Sequence, residues 1–215
     1  MNDKKMERIE SFINSYISDD EEALEAIYRQ ARSDGVPVIR KTTKELIKIF
    51  IRMKMPDSIL EIGTAVGYSA LFMSKIAEEA YITTIELDKD RALDAVSNIE
   101  RLGKAQNIRV INADASVVLK ELPDSSYDFI FVDAAKGQYI NYYEDVLRLA
   151  RKDAVIISDN ILQDGEILES HFTVEKRDRT IHDRIREYLY LITHDDRVDS
   201  SILSVGDGVS VSIKK

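Results

Sequence analysis

The sequence has no cysteine and only three histidines among its 215 residues. A chain without cysteine has no disulfide bonds, no thiolate nucleophile, and neither zinc–thiolate nor iron–sulfur sites. With so few imidazole groups, we expect any metal ion to be bound mainly by oxygen atoms.

Long apolar runs, glycine and proline are also scarce. No run approaches the roughly 18 to 20 apolar residues of a membrane span, and the N-terminal residues 1–5 lead into a charged segment instead of a signal-peptide core. We therefore expect a cytoplasmic protein with no membrane partner. Eight glycines, three prolines and the absence of repeats or low-complexity linkers, with 44% hydrophobic residues, favour a single domain over residues 1–215.

The chain is acidic overall, but its charge is segregated. The formal net charge is -9, which is typical of a soluble enzyme and taken alone argues mildly against a nucleic-acid partner. Residues 1–28 contain three basic and eight acidic side chains, whereas residues 29–54 contain eight basic and two acidic ones. A locally basic rim can still contact phosphates, so the total charge does not exclude RNA.

The hydrophobic pattern predicts an α/β protein with a mostly parallel seven-stranded sheet and helices on both faces. Thr42 and Glu45 match a capping box, which predicts a helix over residues 43–53. From residue 58, short apolar runs alternate with amphipathic stretches, as in stacked βα units. Predicted strands cover 58–62, 81–87, 108–112, 128–132 and 154–158, and predicted helices cover 69–79, 89–102, 115–121 and 139–149. A helix over 179–193 precedes strands 200–205 and 209–213, which Gly206-Asp207-Gly208 joins as an antiparallel hairpin.

Ligands of such sheets bind at the carboxyl ends of the strands. The first predicted strand runs into Glu61, Gly63, Gly67 and Ser69, where two glycines four residues apart allow a tight turn. The spacing differs from both the dinucleotide fingerprint and the phosphate-binding P-loop. Glu61 would repel a pyrophosphate but suits the cationic end of an amino acid; the alternative is a plain βα turn.

The next two strand ends also carry acids. Glu86 lies about 20 residues past the glycines, where a carboxylate can accept hydrogen bonds from ribose hydroxyls. Asp114 follows the third strand and could bind an adenine amino group or simply cap the next helix. Together with Glu61, these acids describe a nucleoside that carries an amino-acid tail, and S-adenosylmethionine fits that description.

The fourth and fifth strands end in a possible metal site. Asp133, Asp159 and Asn160 are hard oxygen ligands of the kind that suits Mg²⁺, Mn²⁺ or Ca²⁺. Lys136 follows three residues after Asp133 and could act as a general base, because a nearby cation disfavours its ammonium form. The alternatives are a turn at Asp159-Asn160, a helix cap at Asp133 and a solvated loop lysine at Lys136.

These motifs resemble the cation-dependent O-methyltransferases of the catechol and caffeoyl-CoA type. The resemblance is carried by Leu-Glu-Ile-Gly-Thr-x-x-Gly-Tyr-Ser, Thr-Ile-Glu, Phe-Val-Asp-Ala-x-Lys-x-x-Tyr and the Asp-Asn pair. It implies a Rossmann-like class I methyltransferase with an N-terminal helical cap (1–54) and a core (55–215). By position, it implies that the cofactor S-adenosylmethionine contacts Ile39, Glu61, Gly63, Ser69, Glu86, Asp114 and Asp133. It implies further that Asp133, Asp159 and Asn160 bind Mg²⁺, with Asp133 and Lys136 as the catalytic residues.

Within that family, the sequence is most similar to bacterial proteins that methylate 5-hydroxyuridine at the wobble position of tRNA. The residues on which this narrower resemblance rests are Gly35-Val36-Pro37-Val38-Ile39, the segment 133–139, the basic stretch 175–179 and Val205-Gly206-Asp207-Gly208. This resemblance implies a tRNA substrate, with Lys176, Arg177, Arg179 and Arg184 as candidate RNA contacts. A catechol-like or caffeoyl-CoA-like small molecule is the alternative acceptor, since both acceptors offer two vicinal oxygens to a metal. We also expect a homodimer.

Overall fold

The computed structural model describes residues 3–171 and 173–215 and contains a seven-stranded sheet. In chain order the strands are β1 (Ser58–Ile62), β2 (Tyr81–Glu86), β3 (Ile108–Asn112), β4 (Tyr127–Val132), β5 (Ala150–Ser158), β6 (Val198–Leu203) and β7 (Val209–Lys214). Their order across the sheet is β3-β2-β1-β4-β5-β7-β6. Strands β1 to β5 are parallel, and β7 runs antiparallel to both β5 and β6. The predicted sheet with a C-terminal antiparallel hairpin is therefore confirmed.

Helices precede, connect and flank these strands. They are α1 (Asp3–Asn14), α2 (Glu22–Ser33), α3 (Lys41–Lys54), α4 (Tyr68–Ile76), α5 (Lys89–Arg101), α6 (Ala115–Glu121), α7 (Tyr139–Leu149) and α8 (Arg179–His194). Two short 3₁₀ segments cover Lys136–Gln138 and Gln163–Leu168. Within the described ranges, none of the helices combines the length and apolar character needed to cross a bilayer.

The sheet is buried on both faces, so its central strands are apolar at nearly every position. Alternate residues of a strand point to opposite faces, and Ile59 and Leu60 of β1 accordingly belong to different core clusters. Ile59 packs with residues of α2 to α5, and Leu60 packs with residues of α6 to α8. Helices on both faces are what a parallel sheet requires.

Helix α3 begins earlier than the capping-box pattern predicts. Arg40 is its N-cap residue, without a side-chain cap hydrogen bond, and Thr42 lies inside the first turn with its hydroxyl buried. Thr43 is fully buried, and a Cβ on Gly206 of the hairpin loop would lie 2.6 Å from its hydroxyl oxygen. The predicted capping box is therefore wrong, because the helix starts at Lys41 and both threonines lie in its first turn with buried hydroxyls.

The acidic and basic N-terminal segments pair with each other. Lys41 Nζ lies 2.6 Å from Asp19, Lys44 Nζ lies 2.9 Å from Asp20, and Arg29 lies 3.0 Å from Glu22. Arg40 also pairs with Glu10, at 3.6 Å. Much of the positive charge of residues 29–54 is thus neutralised within the molecule.

Candidate functional site

The carboxyl ends of β1, β2, β4 and β5 meet at one edge of the sheet. The strand register aligns Ile62 with Val132, and Val132 with Ser158, so the residues that follow these strands become neighbours. A small pocket at this edge is lined by residues that include Ile39, Gly63, Ser69 and Asp133. Four of the residues predicted to bind the cofactor therefore share one cavity.

Gly63 allows the turn after β1 to touch the end of β4. Its φ is 104°, and a Cβ atom there would lie 2.0 Å from the carbonyl oxygen of Asp133. A side chain at this position would have to displace backbone, so only glycine fits. The same segment is fixed by the Asp133 N–H, which donates to the Ile62 carbonyl at 2.9 Å.

Glu61 is fully buried beneath this turn. The Thr84 hydroxyl donates to its Oε2 at 2.5 Å, while Oε1 is buried and has no hydrogen-bond partner among the described residues. Burial raises the pKa of Glu61 to about 8; the hydroxyls of Ser69 and Thr84 oppose the shift, and the charges of Asp133 and Glu86 add to it. A buried carboxyl with an unmatched oxygen suits a cationic ligand such as an amino group.

Glu86 and Asp114 lie further along the same edge. Glu86 accepts hydrogen bonds from the N–H groups of Ala65 and Asp88, both at 2.8 Å, and so ties the glycine turn to β2. Asp114 is exposed and caps α6 by accepting from the Ser116 N–H at 2.8 Å. The Ser116 hydroxyl and this N–H lower the pKa of Asp114. The capping alternative for Asp114 is thus observed, and its contact with adenine stays a prediction.

Asp133, Asp159 and Asn160 converge as a group of oxygen ligands. The Asn160 side-chain amide donates to Asp133 Oδ1 at 2.9 Å, and its backbone N–H donates to Asp159 Oδ1 at 2.8 Å. Asn160 has a left-handed backbone with φ of 57°, which turns the chain sharply after β5. Asp159 Oδ2 is buried and has no hydrogen-bond partner within residues 3–171 and 173–215. Asn160 contacts Asp133 through its side-chain nitrogen, which leaves the side-chain oxygen Oδ1 as the atom that can bind a cation.

The electrostatics of these acids also suit a cation. Burial raises the pKa of Asp133 to about 6, against the opposing effects of Asn160 and Lys136. Burial raises the pKa of Asp159 to about 7, and the charge of Asp133 adds to the shift. The two carboxyls, of which that of Asp159 is buried, and one carboxamide are a donor set that fits Mg²⁺.

Several residues at this site were not identified from the sequence. Lys136 Nζ lies 3.3 Å from Oδ2 of Asp207, a buried residue of the hairpin loop whose only predicted role was in the turn. The Thr43 hydroxyl lies 3.5 Å from Asp159, and the Tyr139 hydroxyl donates to the Asp159 carbonyl at 2.8 Å. Periodicity cannot find such contacts, because they join segments far apart in sequence.

The candidate RNA contacts differ in their surroundings. Arg184 donates to the Gly137 carbonyl at 3.3 Å, which brings the first turns of α8 beside the segment that carries Lys136. Lys176 is exposed. Arg177 instead pairs with Glu175 at 3.1 Å and with a neighbouring aspartate, and Arg179 donates to the Val174 carbonyl at 3.1 Å. These four residues therefore do not form a uniform basic surface.

Comparisons with known proteins agree with this geometry. A family described as O-methyltransferase matches residues 15–215. Catechol O-methyltransferase of Niastella koreensis is 27% identical over 226 residues, covering 100% of both chains. Caffeoyl-CoA O-methyltransferase of Stellaria longipes is 28% identical over 172 residues, covering 77% of this chain and 71% of the relative. The O-methyltransferase from Bacillus cereus, solved in complex with SAH, has a TM-score of 0.84 at 26% identity and 97% coverage of both chains. The chain therefore belongs to the O-methyltransferase family, as its resemblance to the catechol and caffeoyl-CoA enzymes predicts.

Proposed function

We propose that the protein is an S-adenosylmethionine- and Mg²⁺-dependent O-methyltransferase that converts 5-hydroxyuridine at the tRNA wobble position to 5-methoxyuridine. The observation that carries the proposal is Asp133, which lines the pocket beside Gly63 and Ser69 and also contacts Asn160 of the metal-ligand group. A methyl donor and a chelated hydroxyl would therefore meet at one carboxylate.

The cofactor assignment rests on Glu61. Its unmatched buried oxygen suits the ammonium of the methionine portion, and Glu86 at the end of β2 suits a ribose. Gly63 and Ser69 border the same cavity. In this assignment the chain binds and orients the methyl donor. Holding the acceptor oxygen in line with the methyl group accounts for much of the lowering of the activation barrier.

The metal assignment rests on Asp133, Asp159 and Asn160. When bound, Mg²⁺ would lower the pKa of the acceptor hydroxyl and orient it through a second, vicinal oxygen. In 5-hydroxyuridine those oxygens are the 5-hydroxyl and the 4-carbonyl. We assign Lys136, at the same edge, to remove the hydroxyl proton, and Asp207 to hold the Lys136 side chain in position.

The tRNA acceptor is supported by basic side chains in the first turns of α8 and in the segment before it. Arg184 contacts the backbone next to Lys136, and the exposed Lys176 belongs to the stretch that leads into the same helix. Positive groups beside a pocket can contact the phosphates that flank a flipped nucleotide. The basic surface is smaller than the sequence suggests, because four of the eight basic side chains in residues 29–54 pair with acids of residues 1–28.

A catechol-like small molecule is the second candidate acceptor. It is favoured by the similarity over the whole chain to a protein named catechol O-methyltransferase. The same three oxygen ligands would chelate a catechol as readily as a hydroxyuridine, so surface charge has to distinguish the two acceptors.

A homodimer remains part of the proposal. Helix α1 exposes Ile9, Phe12 and Ile13, and Tyr16 follows it with 75% of its surface accessible. Such an apolar patch suits contact with a second copy of the chain.

The proposal is tested by mass spectrometry of tRNA nucleosides from cells with and without the gene. Loss of 5-methoxyuridine-type nucleosides is expected on deletion of the gene, and the wild-type gene should restore them whereas the Asp159→Asn variant should not.

In vitro, Lys176→Glu combined with Arg184→Glu should lower kcat/KM on hypomodified tRNA by about tenfold or more and leave methylation of a catechol unchanged. Lys152→Glu is the matched control, because Lys152 is exposed in the first half of β5, away from the carboxyl end. Efficient catechol methylation with no turnover of tRNA would establish the second candidate instead.

A further inference from the structure

Two of the three histidines of the chain lie next to one aspartate, outside the strand-end site formed by Asp133, Asp159 and Asn160. His171 precedes α8, and His182 and Asp183 lie in the first turns of that helix. His171 Nδ1 lies 2.8 Å from Asp183 Oδ1, and His182 Nδ1 lies 3.4 Å from the same oxygen. One ligand atom from each residue falls within 4.8 Å of the other two.

The hydrogen bonding of His182 prepares its Nδ1 atom for a ligand. This imidazole is 2% exposed, and its Nε2 lies 3.1 Å from the backbone carbonyl of Glu169. A carbonyl can only accept, so Nε2 carries a proton and donates to Glu169, and Nδ1 is the ring atom that faces Asp183. Metal-binding histidines are oriented in the same way, by donating their second ring N–H to a carbonyl or carboxylate.

We propose that His171, His182 and Asp183 form a second cation site, which takes a divalent transition-metal ion of the Zn²⁺ class. Bonds of about 2.0 to 2.2 Å in a tetrahedron place ligand atoms about 3.3 Å apart. The two contacts of Asp183 with the imidazoles, 2.8 Å and 3.4 Å, lie on either side of that value. Asp183 is 53% exposed, so an ion can enter and a water molecule can complete the coordination. Two imidazoles select such an ion over Mg²⁺, which prefers oxygen ligands.

A bound ion would fasten the segment before α8 to the first turns of that helix. Lys176, Arg177 and Arg179 lie between His171 and His182 in the sequence, and Arg184 directly follows Asp183. The ion would thereby order the basic stretch beside the pocket mouth. The binding claim does not depend on which acceptor the enzyme methylates.

The test is a Co²⁺ titration of tag-free, full-length protein in excess Mg²⁺. A site with two imidazoles and low coordination gives strong visible absorption, whereas an octahedral all-oxygen site gives only weak bands. The chain has no cysteine, so thiolates cannot contribute. We expect a single strongly absorbing Co²⁺, displaced by Zn²⁺, and at least about tenfold weaker binding in His171→Gln and Asp183→Asn, whose side chains are exposed enough to change without unfolding.

Two controls separate this site from the others. His194→Gln should bind Co²⁺ like wild type, because His194 stacks on Tyr190 at the opposite end of α8. Asp159→Asn, which disables the strand-end site, should also keep the visible band. The proposal is overturned if the band is absent, if it survives in both His171→Gln and Asp183→Asn, or if it disappears in Asp159→Asn.

Discussion

Glu61 illustrates how a single residue can be prepared for a ligand. Its carboxyl group is buried with one oxygen unmatched, and burial raises its pKa to about 8. Below that pH the free protein therefore holds Glu61 mostly protonated, whereas an ammonium ligand requires the carboxylate. Under the proposed role of Glu61, we expect binding of S-adenosylmethionine to be coupled to the release of a proton from the protein.

This coupling predicts a pH-dependent affinity. Between pH 7.5 and pH 6 the affinity for S-adenosylmethionine should fall as the pH falls, by up to about tenfold per pH unit. Calorimetry in buffers of different ionisation enthalpy should detect close to one proton released per ligand at pH 7. Glu61→Gln should bind more weakly and with little pH dependence; equal proton release by wild type and Glu61→Gln would contradict the assignment.

The part of the site that could be predicted from the sequence is the set of polar residues at the strand ends. Asp133, Asp159 and Asn160 could be grouped from the sequence, because the carboxyl ends of neighbouring parallel strands must lie together. Asp207 and Thr43 could not, since each reaches the site from an element whose approach depends on packing: the hairpin loop for Asp207 and α3 for Thr43. Neither position carries a local signal that distinguishes a site residue from a turn or helix residue.

At the scale of elements, the N-terminal helices are fastened to the core by a buried ion pair. Lys44 of α3 has a side chain 1% exposed and pairs with Asp20, whose carboxylate also accepts from the Tyr68 hydroxyl of α4 at 2.6 Å. The neighbouring pair, Lys41 with Asp19, lies at the surface, with Asp19 68% exposed. The two pairs have similar geometry and differ mainly in burial.

That difference predicts unequal effects on stability. Asp20→Asn leaves a buried lysine uncompensated and should lower the free energy of unfolding by about 3 kcal/mol. Asp19→Asn removes a solvent-exposed pair and should lower the free energy of unfolding much less than Asp20→Asn does. Urea unfolding of both variants provides the comparison, and losses of the same size would mean that burial of Lys44 does not determine the contribution of its pair.

Element boundaries were less predictable than element order. The alternation of apolar runs and amphipathic stretches is local, and it placed all seven strands in the right sequence. Strand β6 nevertheless begins at Val198, two residues before its predicted start, and α3 begins at Lys41 without the predicted cap. Both ends are set by contacts with other elements, namely pairing of β6 with β7 and burial of Thr43 beneath the hairpin loop.

At the scale of the whole molecule, buried acids set the response of stability to pH. Burial raises the pKa of Asp133 to about 6, that of Asp159 to about 7 and that of Glu61 to about 8. The folded, ligand-free protein therefore binds more protons than the unfolded chain between about pH 5 and pH 8. Stability falls with rising pH wherever the native state holds more protons. Other carboxyls, such as that of Asp195 with a pKa of about 2 beside Arg197, add stability that is lost only as the pH falls toward 2.

We therefore predict a stability maximum near pH 5 for the ligand-free protein. Between pH 5 and pH 8 the free energy of unfolding should decrease by several kcal/mol, measured by urea unfolding in chelator. Asp159→Asn should flatten the curve, because one buried carboxyl no longer ionises, and saturating Mg²⁺ should flatten it in wild type by favouring the charged acids. A ligand-free stability that stays constant or rises from pH 5 to pH 8 would mean that these carboxyls are already ionised in the folded protein, and the electrostatic basis of both assignments would fail.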